Sequence, residues 1–178
     1  MKKNRLSILL FSAVIFAVII YSAYGMVNQG KEEDYISVSV IVNDSSSERW
    51  DAFREGLEQG AEDNHVHLNL VSTGKFQNVQ EEQPIVKREL DGSADGVIVA
   101  PYSSDTDVVL PGETAKPTVL IQTGIETDTL FTTVMTDHVK FGETLGDMAV
   151  EGGEKTVGIF SGNQNQIGMR QRLKALKQ

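Results

Sequence analysis

From residue 36 onward, short apolar runs alternate with stretches in which apolar positions recur every three or four residues. Residues 36–42, 66–71, 97–100, 118–122, 131–135 and 156–160 read as strands, and 48–63, 79–90, 139–150 and 166–178 as helices. Strand and helix alternating at this rhythm predict a three-layer α/β/α, doubly wound, mostly parallel sheet with helices on both faces. The first helix is the clearest. Trp50, Phe53, Leu57 and Ala61 mark one face, and Asp51, Arg54, Glu55, Glu58 and Glu62 fill the other. Ser45 and Glu48 have the spacing of a capping box, and Ser46 or Ser47 could equally accept from the first free amides. Pro84 interrupts the second helix and predicts a kink or a late start. Pro111, Gly112 and Pro117 shorten the crossover between residues 100 and 118.

Residues 6–23 are apolar in a different way, eighteen positions without a charge and without a polar stripe. At about 1.5 Å per residue, a helix of that length covers nearly the hydrocarbon core of a bilayer. Lys2, Lys3 and Arg5 precede it, which orients the amino terminus to the cytoplasm and sends the rest outward. Ala23 and Gly25 also have the spacing of a signal-peptidase site. Residues 1–25 therefore read as a signal anchor or a removed signal peptide, and the polar residues 26–35 as a tether.

Charge narrows the function. Three of the 16 basic residues lie in that leader, leaving 13 against 25 acidic ones, a net of −12. Such a body is a poor nucleic-acid binder. The chain has no cysteine, which excludes disulfides, thiol catalysis, thiolate metal sites and a lipid-bearing cysteine anchor. No G-x-G-x-x-G, H-E-x-x-H or G-x-S-x-G occurs, and residues 162–168 space their glycines wrongly for a P-loop, with Met169 where lysine belongs. His65 and His67 alternate with Val66 and Leu68, which places both imidazoles on one strand face, but no third metal ligand accompanies them. Asp137 reads as a helix cap rather than as an acid–base partner of His138. Neither cofactor nor metal is expected.

In a doubly wound sheet the carboxyl ends of the strands open into a common crevice where ligands bind. The loops predicted to line it are 43–47, 72–77, 101–105, 122–126 and 137–138. They are rich in hydroxyls, amides and carboxylates, with Trp50, Phe76 and Tyr102 nearby. That mixture suits a neutral polyhydroxylated ligand, because polar groups satisfy hydroxyls while an aromatic face covers the C–H side of a sugar ring.

These motifs in series carry a family resemblance: SERWDAFREGLEQGAE after the first strand, DGVIVAP at 95–101, KPTVLIQ at 116–122, TDHVKFGETLGDMA at 136–149, and TVGIFSGN followed by MRQRLKALKQ. The chain resembles the type I periplasmic sugar-binding proteins, whose fold is shared with the ligand-binding core of lac-repressor-like regulators. The resemblance implies a periplasmic binding protein-like I fold, with residues 36–151 as ligand-binding lobe 1 and 152–178 as the crossover and first strand and helix of an incomplete second lobe. It implies that Trp50 stacks on the sugar, with Ser47 at the polar position beside it, and that Asp137 and Arg170 reach the ligand. Ser103 and Gln122 stand where the family carries aspartates, Thr123 where it has an arginine, Arg49 where it has a first aromatic, and His138 where it has asparagine. Ser103, Asp105 and Gln122 complete the candidate site. The implied function is an exported, membrane-tethered solute-binding protein serving an ABC-type permease. The alternative is a sugar-sensing input to a membrane histidine kinase or chemoreceptor. Both are binders rather than catalysts.

Overall fold

A computed structural model describes residues 13–24, 35–105, 116–126, 131–153 and 156–177. The chain divides into two compact units, residues 1–35 and 36–178. In the first, residues 13–24 are helical and exposed. Residues 6–12 of the predicted leader, and 26–34 of the tether, lie outside the described residues. Among the described residues no helix is long and apolar enough to cross a membrane.

The second unit is built on five strands: β1 (Ile36–Ile41), β2 (Val66–Leu70), β3 (Gly96–Val99), β4 (Thr118–Ile121) and β5 (Thr132–Val134). They form one parallel sheet in the order β2-β1-β3-β4-β5. The helices are α1 (Asp51–Asp63), α2 (Val79–Asp91), α3 (His138–Glu151) and α4 (Ile167–Leu176). Successive residues of a strand point to opposite faces, so each central strand supplies two cores. Ile41, Val97, Val99 and Leu120 pack with Val86 and Leu90 of α2. Val40, Val42 and Ile121 pack on the other face with Trp50 and, from α1, Phe53 and Leu57. This is the predicted α/β/α sandwich, and it aims all five strand carboxyl ends the same way.

Four local expectations are corrected. Ser45 does not cap the first helix, because its Oγ is buried and exchanges hydrogen bonds with the Thr73 backbone (2.8 and 3.2 Å), tying the loop after β1 to the loop after β2. The helical path instead opens with a 3-10 turn, Glu48–Trp50, whose cap Ser47 makes no side-chain bond. The second helix is not delayed by its proline: α2 starts at Val79, five residues before Pro84. Its start is held reciprocally, Asn78 Oδ1 accepting from Glu81 N (3.1 Å) and Glu81 accepting from Gln77 N (2.9 Å), which offsets the hydrogen bond that proline cannot donate. His65 is not a strand residue facing the same way as His67. It has a left-handed φ of 53° in the turn before β2. Residues 156–160 pair with no described strand, and they lie exposed without the ladder their composition predicts. A strand pattern needs a neighbour for its backbone groups.

Candidate functional site at the strand carboxyl ends

The loops leaving the strands meet at one rim and enclose a cavity of about 520 Å³, a volume within the usual range for small-molecule sites. Its floor is the ends of β3 and β4, and its walls come from the loops after β1 and β2, from the start of α3, and from residues 162–172.

Each wall is fixed by polar bonds that follow from the local sequence. After β1, Asn43 Oδ1 accepts from Phe76 N (2.8 Å), while its carbonyl accepts from Arg49 Nη2 (2.7 Å) and Trp50 Nε1 (3.0 Å). After β3, Tyr102 N donates to both oxygens of the Glu82 carboxylate (3.1 Å each), and the Tyr102 hydroxyl donates to Gln77 O (2.8 Å). Glu82 lies under this loop with no solvent exposure, and burial pushes its carboxyl up to about 7, against the lowering effect of the Tyr102 amide.

The loop at 161–166 is laid across the ends of β3 and β4. Asn163 Nδ2 donates to Tyr102 O (2.7 Å), Gln166 Nε2 to Pro101 O (3.1 Å), and Ile167 N to Ser104 Oγ (2.7 Å). Ser104 Oγ itself donates to Gly124 O (2.7 Å) and faces Thr123 Oγ1 at 3.3 Å, so a buried hydroxyl pair ties the two strand ends to α4. At the end of β4, Gln122 takes a left-handed φ of 66°. Its N–H donates to Val134 O (3.1 Å) and its carbonyl accepts from His138 Nε2 (3.0 Å). Backbone strain of this kind persists where the surroundings over-determine it.

His138 and Arg172 form the far wall. Arg172 Nη2 donates to His138 Nδ1 (2.9 Å), and because a guanidinium can only donate, the imidazole proton is on Nε2. The Arg172 guanidinium lies 4.2 Å from the Phe141 ring centroid, and its buried Nε has no hydrogen-bond partner among the described residues.

The seven residues singled out from sequence are placed unequally. Gln122 lines the cavity, and its side-chain amide bonds no described residue. Trp50 does not line it. The indole is 4% exposed, packed in the α1-side core, and edges a shallower depression with Phe53 and Met135. Ser47 occupies the N-cap position of the 3-10 turn and makes no side-chain cap bond. Ser103 is buried, its Oγ accepting from Asp105 N (3.2 Å), and Asp105 forms a bridge with Glu126. Asp137 caps α3 by accepting from Lys140 N (2.9 Å). Arg170 is ion-paired with Glu126 and donates to Gln164 O (3.1 Å). The cavity recruits Arg172 instead. Met169 and Arg172 share one face of α4 at three-residue spacing, with the N-cap Gln166 three residues before them, whereas Arg170 is a 100° step from Met169. That spacing was the available signal.

Residues 38–178 match the family described as periplasmic binding protein domain. No curated protein matches the chain by sequence. Among solved structures, a sugar transporter from Clostridium phytofermentans superimposes with a TM-score of 0.70 at 19% identity, covering 81% of this chain and 55% of its own. A carbohydrate transporter solute-binding protein from Agrobacterium radiobacter, in complex with D-arabinose, gives 0.66 at 16% identity, with 82% and 54% covered. The transcription regulator CcpA of Lactococcus lactis gives 0.67 at 19%, with 80% and 52% covered. The chain spans about half the length of each of these structures. With the parallel sheet order and the rim cavity in place, the match over residues 38–178 means that this chain belongs to the periplasmic binding protein domain family.

Proposed function

We propose that the chain is an exported solute-binding protein that captures a small, hydroxyl-rich ligand of the sugar class for an ABC-type importer. The observation that carries this reading is the cavity at the strand carboxyl ends, walled by the amides of Asn43, Gln122 and Gln166 and the aromatic side chains of Phe76 and Tyr102. Amides hydrogen-bond hydroxyls in either sense, and aromatic carbon covers the C–H faces of a ring. The D-arabinose complex of the Agrobacterium protein supports the ligand class, and the Clostridium sugar transporter supports the role. A second lobe would close over the rim and complete the enclosure. Residues 6–23 would hold the protein at the membrane, with the basic residues before them inside. The chain acts as a binder and not as an enzyme.

Titration calorimetry against a panel of monosaccharides tests the ligand class, with micromolar binding of at least one expected and no heat from any sugar counting against it. Gln122→Leu should weaken that binding about tenfold, the loss of one or two hydrogen bonds to a buried ligand. Alkaline extraction of membranes tests the anchor, a fully released protein excluding it.

The second reading is an input module for a membrane sensor kinase or chemoreceptor. It is favoured by an apolar leader combined with the lack of any cysteine to carry a lipid. Co-purification with permease subunits supports transport, and co-purification with a histidine kinase supports sensing.

A further inference from the structure

Among the described residues three cationic side chains, Arg49, Lys75 and Arg172, line the cavity, and neither aspartate nor glutamate does. This inverts the balance of a body whose net charge is −12. Away from the cavity five described cations are matched, Arg54 with Asp51, Lys87 with Asp91, Arg88 with Glu89, Lys140 with Glu143 and Arg170 with Glu126, while Lys116 donates to the Gly92 carbonyl and Lys174 and Lys177 at the end of α4 form no ion pair with a described carboxylate. None of the three at the cavity forms an ion pair with a described carboxylate. Arg49 is oriented by the Asn43 carbonyl and lies 4.8 Å from the Trp50 ring centroid. Arg172 is oriented by His138 and Phe141 and keeps a buried Nε without a partner among the described residues. Lys75 is exposed, its ammonium bonded to no described residue. Like charges gathered around one concavity repel each other, and apolar walls focus their field outward through the mouth. A site for a neutral sugar gains from carboxylates that accept hydroxyl protons, and no described carboxylate lines this cavity.

We propose that the ligand is anionic, a hydroxyl-bearing small molecule whose carboxylate or phosphate meets Arg49, Lys75 and Arg172 while its hydroxyls meet Asn43, Gln122 and Gln166. This rests on the sugar-class reading above and names the charge of that ligand. Charge-assisted hydrogen bonds from guanidinium and ammonium groups are about twice as strong as neutral ones, so the anionic group is the main anchor and the hydroxyls set orientation.

The test is calorimetry of the whole chain with four probes, D-glucose, D-glucuronate, D-glucose 6-phosphate and inorganic phosphate, each at low and at elevated salt. One charged sugar should bind at least about tenfold tighter than glucose, with the margin shrinking as salt rises. Lys75→Gln and Arg49→Gln should each cost the charged sugar about fivefold more than they cost glucose. Arg172 also packs between α3 and α4, so exposed Lys75 carries the test if Arg172→Gln does not fold. Whichever charged sugar binds tighter identifies the group as carboxylate or phosphate. Glucose binding as tightly as both charged sugars overturns the anionic inference and leaves the sugar class standing. Inorganic phosphate binding as tightly as the sugar phosphate overturns the sugar class and leaves the anion standing. No binding by any of the four overturns both.

Discussion

Arg172 donates to His138 Nδ1 across 2.9 Å, and this one bond joins the last helix of the chain to the first residue of α3 at the wall of the cavity. The ring passes the constraint on, since its Nε2 donates to the carbonyl of Gln122. A cavity-lining residue in a strained backbone conformation is thereby tied to a cation on a different helix. The approach of α4 that makes this possible depends on a glycine. A Cβ placed on Gly168 would lie 2.3 Å from His138 Nε2. Gly168→Ala should therefore cost about 1–3 kcal/mol, the range for overpacking a fitted site. In a His138→Ala background the same substitution should be nearly free, and a double-mutant cycle by urea denaturation measures the difference. Costs that simply add would show that the two residues do not meet.

Trp50 should behave as a core residue in stability measurements. Its indole is shared with Val40, Val42, Ala100 and Ile121, and its Nε1 donor is satisfied by Asn43 O at 3.0 Å. Trp50→Ala should lower unfolding free energy by about 3–5 kcal/mol, as large-to-small aromatic substitutions do. A loss below 1 kcal/mol in chemical denaturation would remove Trp50 from the core.

The strand and helix order was legible because each central strand is buried on both faces and reads as an apolar run, while α1 and α2 each bury one face only. The rim loops were legible too. Asn43, Phe76, Tyr102, Gln122 and His138 all fall in segments that follow a predicted strand. What periodicity could not supply was the rotation of α4, where one position separates cavity-lining Met169 from Arg170 paired with Glu126. Periodicity did put Trp50 on the apolar face with Phe53 and Leu57, where the structure has it, and it was the resemblance that turned its ring toward the ligand while Arg49 took the place at the cavity. The pattern at 156–160 failed for a different reason. Strand propensity describes a half-buried surface, and no described strand offers one there.

Gln122 offers a substitution in which stability and binding should move apart. Its φ of 66° suits glycine better than a residue with a Cβ. Gln122→Gly should hold or raise stability, by up to about 1 kcal/mol, yet weaken ligand binding through loss of the side-chain amide. Thermal unfolding read beside calorimetry checks both. A fall in stability of more than 1 kcal/mol would show that the backbone there is not strained.

Glu82 should make stability fall as pH rises across the neutral range. Its carboxyl is raised from 4.5 to about 7 by burial, which the two bonds from the Tyr102 amide only partly oppose. Between those two values the folded state holds a proton that the unfolded chain has released. The proton's contribution is therefore complete below about pH 4.5 and is lost as pH rises through about 7. A shift of this size corresponds to about 3 kcal/mol. Above neutrality the carboxylate is charged in a site with no cation among its described partners, and the loop that carries Tyr102 into the cavity should loosen first. Glu82→Gln keeps an oxygen for the Tyr102 amide without the charge. It should flatten the decline between pH 5 and 8 in urea midpoints measured at constant ionic strength, whereas a variant as pH-dependent as the parent would show that another group sets the slope.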